Sequence, residues 1–404
     1  MRFRKGWNII TNVMFVMPER PTAVWANKFR FALSIKPPPN RGGFIFHIKY
    51  LLVFKPAAYK INVRRQQRQR GNEMKRIGII GTGIFGTALA LTAARAGCSV
   101  LCWARNQEIS DDINLRHLNS KYLPNIPLPD AIRATSSLSD VFDFTDTVLL
   151  TTSAQSTRSV LQAMKPFVKE NGVIVLCAKG IEENSGKMLS EIAREEVPAA
   201  VIAVLSGPGF AIDIARQKLA CVTIACDRPG IAAKLTELLA TPYFRPYTTA
   251  DMISPQIGGS VKNVIAIASG VIEGAAFGDG ARAALITRGL NEMGRLSKAL
   301  GGLPTTMMGM SGLGDLVLTA NCSQSRNFSF GYAVGTCGEA QKVIAENTRT
   351  VEGLHTAKAV LKLARKLGVE MPICEMVNKV LFENFPLKAA MEELMNRPYK
   401  EEGF

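Results

Sequence analysis

The chain has 404 residues, of which 47% are hydrophobic and 20% charged, with 8 cysteines and a formal net charge of +16. This balance is typical of globular proteins and excludes wholesale disorder, collagen-like repeats and small disulfide scaffolds. The length predicts two domains. No apolar run approaches the roughly 18 to 20 residues that a membrane-spanning helix needs, so we expect no integral membrane segment.

The positive charge is concentrated at the N-terminus. Residues 1–73 contain 15 Lys and Arg but only two acidic residues, so the other 331 residues carry a net charge of only +3. We therefore expect no nucleic-acid partner for the main body. Residues 1–73 show no sustained helical or strand period, which predicts a disordered extension or translated upstream sequence. A targeting segment and a basic tether are the alternatives.

The cysteines are scattered without a CxxC pair, and the chain has only three histidines. This spacing argues against a zinc site, and we predict no bound metal. Cysteines inside apolar runs are typical of a reducing compartment, which predicts a cytoplasmic protein. Because histidine is scarce, acid–base chemistry is expected to fall to another residue type.

A dinucleotide-binding motif begins directly after residue 74. Residues 76–80 predict a short apolar strand, and the sequence Gly-Thr-Gly-Ile-Phe-Gly connects it to an Ala-rich predicted helix. Gly81 permits the tight turn, Gly83 leaves room for a pyrophosphate, and Gly86 lets helix and strand approach. The helix N-terminus offers oriented N–H groups to the phosphates.

The end of the second predicted strand, residues 98–103, bears on the choice of cofactor. An acidic residue there would bind the ribose 2′-hydroxyl and repel a 2′-phosphate. This chain has no acid until Glu108 and carries Arg105 instead, which is suited to a 2′-phosphate. The sequence therefore favours NADP(H) over NAD(H).

Strand and helix patterns alternate through the first half of the main body and then become purely helical. This change predicts an α/β fold with a Rossmann-like, doubly wound parallel sheet in residues 74–255 and an all-α domain in residues 256–404. Further strands are predicted at residues 147–152, 173–178, 200–205, 220–225 and 244–248. The main helices of the second half are predicted at residues 257–274, 281–300 and 351–367.

Two lysines are candidate site residues. Lys179 follows the strand predicted at residues 173–178, and ligands of open parallel sheets bind beyond the carboxyl ends of strands. A solvated loop lysine is the alternative. Lys262 lies in an otherwise apolar helix, which predicts either a desolvated, functional lysine or one that extends to the surface.

Polar groups in the helical half suggest an anion site. Asp315 follows a glycine turn, and Ser325, Arg326 and Asn327 come soon after it. Three polar side chains in a row are suited to a phosphate, which an arginine can bind with two parallel hydrogen bonds.

Taken together, these motifs resemble the bacterial-type NAD(P)H-dependent glycerol-3-phosphate dehydrogenases. The resemblance extends from Met74 to the C-terminus, and the motifs of the helical half are specific to this family, whereas the glycine motif is shared widely. The matching stretches are residues 81–90, 121–124, 178–180, 207–211, 262–264, 281–290, 314–319, 325–327, 351–353 and 370–373.

The resemblance implies reversible hydride transfer between NADPH or NADH and the middle carbon of a phosphorylated triose, dihydroxyacetone phosphate or sn-glycerol 3-phosphate. It implies a role in glycerophospholipid synthesis and a homodimer. Lys262 is the implied acid–base group at the C2 oxygen, Lys179 would contact substrate and cofactor, and Asp315 would orient the lysine and hydroxyl groups. The other implied substrate residues are Gly207, Gly209, Asn263, Ser325, Arg326 and Asn327. The implied cofactor residues are Gly81, Gly83, Ile84, Phe85, Gly86, Arg105, Lys179, Ala211, Arg326, Thr350 and Glu352.

Several positions depart from the family pattern. Ile84 and Phe85 replace a Ser–Trp-like pair, which removes a hydroxyl contact to the pyrophosphate. Gly209 stands where Ser or Thr is usual, and Gln256 replaces an acid. These changes bear on affinity more than on the reaction. A related 3-hydroxyacid or ketopantoate-type reductase, which would prefer a carboxylate to a phosphate, is the alternative enzyme. The non-enzymatic alternative is a tethering protein whose functional part is the basic arm of residues 1–73.

Overall fold

The computed structural model describes residues 75–399 and residue 401. The extension predicted for residues 1–73 lies outside the described residues. Within them, the strands form a single sheet. Its members are β1 (Arg76–Ile80), β2 (Ser99–Trp103), β3 (Ile132–Thr135), β4 (Thr147–Leu150), β5 (Val173–Leu176), β6 (Val201–Ser206), β7 (Ala220–Ala225) and β8 (Phe244–Thr249).

The strand order is β3-β2-β1-β4-β5-β6-β7-β8. Neighbouring strands from β3 through β6 are parallel, and β4 and β5 are buried on both faces, as their continuous apolar sequences require. The predicted Rossmann-like, doubly wound sheet is confirmed. Its last two strands differ from the prediction of a parallel sheet. Strand β7 runs antiparallel to β6, and β8 is parallel to β7.

Helices cover the sheet, and after β8 they are the only regular secondary structure of the described residues. The helices that flank the strands are α1 (Ile84–Arg95), α2 (Gln107–Arg116), α3 (Leu138–Phe144), α4 (Thr157–Met164), α5 (Leu189–Glu196), α6 (Ala211–Ala215) and α7 (Ile231–Leu239). The later helices are α8 (Ser254–Gly274), α9 (Asp279–Ala299), α10 (Pro304–Met307), α11 (Asp315–Ala320), α12 (Arg326–Cys337), α13 (Ala340–Glu346), α14 (Glu352–Leu367), α15 (Pro372–Phe382) and α16 (Leu387–Met395). The predicted domain boundary between residues 255 and 256 stays a prediction.

The long helix α8 is the centre of the helical region. Nearly all of its residues are buried, and it packs against α9, α11, α12 and α14. Glycines allow these close contacts: a β-carbon on Gly270 would lie 2.1 Å from the backbone oxygen of Phe328 on α12. A polar side chain on the middle of α8, such as Lys262, is therefore held inside the protein, where burial requires polar partners.

Helix ends in this region follow ordinary capping chemistry. The Ser325 side chain caps α12 by accepting a hydrogen bond from the Phe328 N–H at 3.2 Å, and the helix ends at Gly338 with φ +77°. In the part of the chain that the structure describes, no helix is both long enough and apolar enough to span a membrane.

Candidate active site

The glycine turn after β1 has the geometry of a phosphate-binding loop. Gly81 has φ +109°, a backbone conformation that favours glycine, and a β-carbon on Gly86 would lie 2.0 Å from the Gly81 oxygen. A β-carbon on Gly83, in contrast, would have no protein atom within 4 Å. The turn is therefore closed toward the sheet and open at Gly83, where a pyrophosphate would lie against the start of α1.

Two residues that sequence reasoning missed hold this turn in place. The Asn119 amide, fully buried, donates to the Thr82 oxygen at 2.9 Å and to the Thr87 hydroxyl at 2.8 Å. The Thr151 hydroxyl, just after β4, donates to the Gly81 oxygen at 2.8 Å. Neither side chain belongs to the glycine motif. Their role in holding the turn becomes visible only once the fold places them beside it.

Three charged residues meet beyond the carboxyl end of β5. The Lys262 ammonium, with 6% of the residue exposed, donates to Asp315 Oδ1 at 2.5 Å. The Lys179 ammonium donates to Asp315 Oδ2 at 2.6 Å and to the Gly207 oxygen at 2.8 Å. Asp315 is 1% exposed. One buried carboxylate thus bridges the two predicted lysines.

Small residues on α8 let the three elements converge. A β-carbon on Gly259 would lie 3.2 Å from Lys179 Cγ, so the lysine stem passes directly along the helix. A β-carbon on Gly258 would lie 2.2 Å from the Ser311 oxygen, in the π-helical turn formed by Met310–Gly314. That turn leads directly into Asp315, the first residue of α11, and π turns are frequent at functional sites.

Burial lowers the pKa of Lys262 to about 8, and the Lys179 charge acts in the same direction, while Asp315 opposes both. A lysine in this range exchanges a proton near neutral pH, as an acid–base group must. Lys262 also donates to the Thr319 hydroxyl at 2.7 Å. Sequence reasoning did not assign Thr319, although its position four residues after Asp315 on α11 places it on the same helix face.

The predicted anion-binding residues line the same cavity. Asn327 donates to the Asn263 amide oxygen at 3.0 Å and accepts from the Gly353 N–H at 2.9 Å. Arg326, the first residue of α12, is exposed at the cavity mouth, and Ser325 is buried as the cap of that helix. Arg326 is the only cationic side chain among these anion-binding residues.

The cavity has a volume of about 180 Å³. Ten of the predicted site residues line it, together with Phe210, Leu318, Thr319 and Gln324, which were not predicted. The ten are Lys179, Gly209, Lys262, Asn263, Asp315, Ser325, Arg326, Asn327, Thr350 and Glu352.

The remaining predicted residues lie outside the cavity lining. Gly207 contributes its backbone oxygen to Lys179, and a β-carbon there would lie 2.8 Å from Val222 Cα. Ala211 begins α6, which packs on α1, and Arg105 is exposed in the loop between β2 and α2. The other five belong to the glycine turn: Gly81, Gly83, Ile84, Phe85 and Gly86.

Glu352 adds a partly buried carboxyl to the cavity wall at the start of α14. Desolvation raises its pKa, and the positive charges of Arg326, Lys179 and Lys262 act in the opposite direction. The described residues hold no cluster of three or more His, Cys, Asp or Glu side chains that would bind a metal ion.

Known proteins are similar in sequence to almost the whole described chain. A family model for the N-terminus of NAD-dependent glycerol-3-phosphate dehydrogenase matches residues 76–232, and the corresponding C-terminal model matches residues 251–392. A Rhodospirillum rubrum relative, glycerol-3-phosphate dehydrogenase [NAD(P)+], is 45% identical over 327 residues, which cover 81% of this chain and 94% of the relative. A Caulobacter vibrioides relative of the same name is 45% identical, covering 81% of this chain and 99% of the relative.

Solved structures show the same relationship. The crystal structure of glycerol-3-phosphate dehydrogenase from Coxiella burnetii is 36% identical, with a TM-score of 0.76, and covers 80% of this chain and 99% of that chain. A ketopantoate reductase from Ralstonia eutropha is 15% identical with a TM-score of 0.50, covering 80% of this chain and 100% of that chain, and shares the fold alone. With both family models matched and these identities sustained over most of its length, the chain belongs to the NAD-dependent glycerol-3-phosphate dehydrogenase family, a family of enzymes that use a nicotinamide cofactor.

Proposed function

We propose that this protein catalyses the reversible NAD(P)H-dependent reduction of dihydroxyacetone phosphate to sn-glycerol 3-phosphate, with Lys262 as the acid–base group. The observation that carries the proposal is the buried Lys262–Asp315–Lys179 bridge in one cavity with Arg326. The names of the bacterial relatives and the order of the matched motifs support the same reaction.

The residues of the cavity meet the chemical requirements of ketone reduction. When bound, the nicotinamide supplies a hydride to C2 of the substrate. Negative charge then develops on the C2 oxygen, and Lys262 Nζ neutralises it by giving up a proton. In the reverse direction the same amine takes that proton back. Asp315 fixes the position of the ammonium group, and Lys179 adds a second positive charge near the developing alkoxide.

The anion end of the cavity fits the substrate phosphate. Arg326 can bind two phosphate oxygens with parallel N–H donors, and a charged acceptor strengthens these hydrogen bonds. Asn327 and Asn263 already bond to each other, which holds the amides at the cavity wall.

The reaction is tested by mixing the purified full-length protein with dihydroxyacetone phosphate and following NADPH and NADH at 340 nm. We expect substrate-dependent oxidation of both, faster with NADPH, and competition by inorganic phosphate. Oxidation that requires a keto acid and is insensitive to dihydroxyacetone phosphate and to phosphate would assign the protein to the ketopantoate-type reductases instead.

We propose NADPH as the preferred cofactor because Arg105 follows β2 where a 2′-phosphate would lie. Replacing Arg105 with Ala should raise the KM for NADPH about tenfold, since a charged hydrogen-bond partner is removed, and leave the KM for NADH nearly unchanged. Arg228, exposed on the far side of the sheet, provides a matched control as Arg228→Ala. A parallel rise of both KM values would remove Arg105 from cofactor selection.

The two glycines of the turn should respond differently to alanine. Gly86→Ala places a methyl group against the Gly81 oxygen, so we expect a lower melting temperature. Gly83→Ala meets no protein atom, so we expect an unchanged melting temperature but NADPH affinity at least tenfold weaker, because the methyl group occupies the phosphate space. Calorimetry and fluorescence titration measure the two effects. Unaltered NADPH binding in Gly83→Ala would place the pyrophosphate elsewhere.

Further properties complete the proposal. All eight cysteines are free thiols in the structure, which supports a cytoplasmic location. We propose a homodimer, a supply of glycerol phosphate for glycerophospholipid synthesis, and a division into the cofactor-binding domain of residues 74–255 and the substrate domain of residues 256–404.

A further inference from the structure

A short hairpin leaves the candidate active site directly after Lys179. Residues 181–188, which we call the 181–188 hairpin, fold back on themselves through an antiparallel bridge between Ile181 and Met188. Gly186, with φ +69°, makes the turn. Because the hairpin begins two residues after Lys179, its position is coupled to that lysine through the backbone.

The tip of the hairpin contacts the outer face of α14. Glu183 Oε2 lies 2.6 Å from His355 Nδ1, and Glu183 Oε1 lies 3.7 Å from the Lys358 ammonium. The Lys362 ammonium donates to the Asn184 oxygen at 2.6 Å. Positions 355, 358 and 362 are spaced three and four residues apart, so they form one stripe along the helix. Glu183 is therefore the shared partner of His355 and Lys358, and the Asn184 oxygen is the partner of Lys362.

The hairpin is also fixed to the sheet side of the protein. Arg158 donates two hydrogen bonds to the Glu182 carboxylate, at 2.9 and 2.8 Å. Gln155 donates to the Ile181 oxygen at 2.9 Å and accepts from the Glu183 N–H at 3.0 Å. With its backbone held in this way, Glu183 is a fixed attachment point for α14 rather than a mobile surface acid.

The inner side of the same helix forms part of the cavity. Thr350, two residues before α14, and Glu352, its first residue, line the cavity wall. The Gly353 N–H donates to Asn327 Oδ1 at 2.9 Å. The first turn of α14 is thus held from inside by Asn327 and from outside by Glu183.

We propose that Glu183 is a positioning residue for nicotinamide dinucleotide binding. By holding His355 and Lys358, it fixes the first turn of α14 and so keeps Thr350 and Glu352 in place at the cavity wall. The inference rests on the proposed function and on the family resemblance, which implies that those two residues contact the dinucleotide. Glu183 itself does not line the cavity.

The contacts predict a selective effect. Lys179 and Lys262 are held inside the site by Asp315 and the Gly207 oxygen, independently of Glu183. Loss of the Glu183 carboxylate should therefore weaken dinucleotide binding while kcat at saturation stays within twofold. A residue with a purely structural role would instead lower the melting temperature and the active fraction without changing the dinucleotide dissociation constant.

The experiment compares Glu183→Ala with wild type in the full chain, using fluorescence titration of NADPH and NADH. We expect both dissociation constants to rise about three- to fivefold, the range of one partly exposed ion pair. Asp227→Ala is the matched control, because Asp227 pairs with Arg194 at 2.9 Å and follows β7 at the end of the sheet away from the carboxyl end of β5. It should leave both constants unchanged.

Two further variants keep the test decisive. Glu183→Gln retains the shape of the side chain and should reproduce the weaker binding if Glu183→Ala does not fold. His355→Ala should weaken dinucleotide binding when introduced alone. It should add little when combined with Glu183→Ala, because both substitutions remove the same Glu183–His355 contact. Unchanged dissociation constants in the Glu183 variants, or equal weakening in Asp227→Ala, would overturn the role of Glu183. A wild type that binds NADPH but does not reduce dihydroxyacetone phosphate would overturn the proposed function alone.

Discussion

Replacing Lys262 with Met should lower kcat for reduction of dihydroxyacetone phosphate by a factor of about 10² to 10⁴, the range expected for loss of a positioned acid–base group. Methionine keeps most of the apolar stem in the buried site but cannot supply a proton to the C2 oxygen. The affinity for NADPH should change little, because the proposed partner of Lys262 is the C2 oxygen of the substrate and not the cofactor. Stopped-flow and steady-state measurements separate these two effects.

The pH profile gives an independent check on the same residue. With a pKa lowered to about 8, Lys262 is protonated below that pH and neutral above it. Ketone reduction needs the ammonium form, so kcat/KM for dihydroxyacetone phosphate should fall as the pH rises through about 8. Oxidation of glycerol 3-phosphate needs the neutral amine and should rise over the same interval.

A matched substitution controls for the general loss of a lysine. Lys298 is exposed on α9, away from the cavity, and Lys298→Met should keep wild-type kcat. Normal turnover in Lys262→Met, or a pH profile without a change near pH 8 in wild type, would contradict the assignment of Lys262 as the acid–base group.

Replacing Arg326 with Ala should raise the KM for dihydroxyacetone phosphate on the order of 10- to 100-fold, because charged hydrogen bonds to the phosphate are lost. The KM for NADPH should rise far less, since most of the dinucleotide contacts are elsewhere. Initial-rate measurements with each substrate varied in turn give both constants.

Arg365 provides the control for this change. It is exposed in the last turn of α14, and Arg365→Ala should leave both KM values unchanged. Arg326→Ala should also be less sensitive to inorganic phosphate as a competitor. Equal effects on the substrate and NADPH constants would place Arg326 outside the substrate pocket.

The sequence was sufficient to predict which elements carry the site, because local patterns mark them. A strand followed by glycines identifies the turn at Gly81, and a lysine in an apolar helix identifies Lys262. Their convergence on Asp315 could be expected only through the family resemblance, since nothing in the local pattern specifies that one carboxylate bridges two lysines. The cavity then brings together ten of the predicted residues.

Other features have no local signal. Asn119 and Thr151 act through distant backbone oxygens, and their neighbours in sequence do not reveal those partners. The third strand, Ile132–Thr135, forms one edge of the sheet, is short and has an exposed Arg133. It therefore lacks the continuous apolar run by which the central strands were predicted. The direction of a strand in the sheet also cannot be predicted from its own residues, because an apolar strand is buried equally well whether it runs parallel or antiparallel to its neighbour.

The reversal of β7 affects how the substrate specificity of this enzyme could be altered. A strand antiparallel to its neighbour needs no crossover, so the segment between Ser206 and Ala220 closes over one end of the sheet. That segment contributes Gly209 and Phe210 to the cavity. Substitutions at Gly209 and Phe210 can therefore change the cavity wall while α6, which packs on α1, stays in place. These two positions are a suitable starting point for protein engineering toward ketones of other sizes.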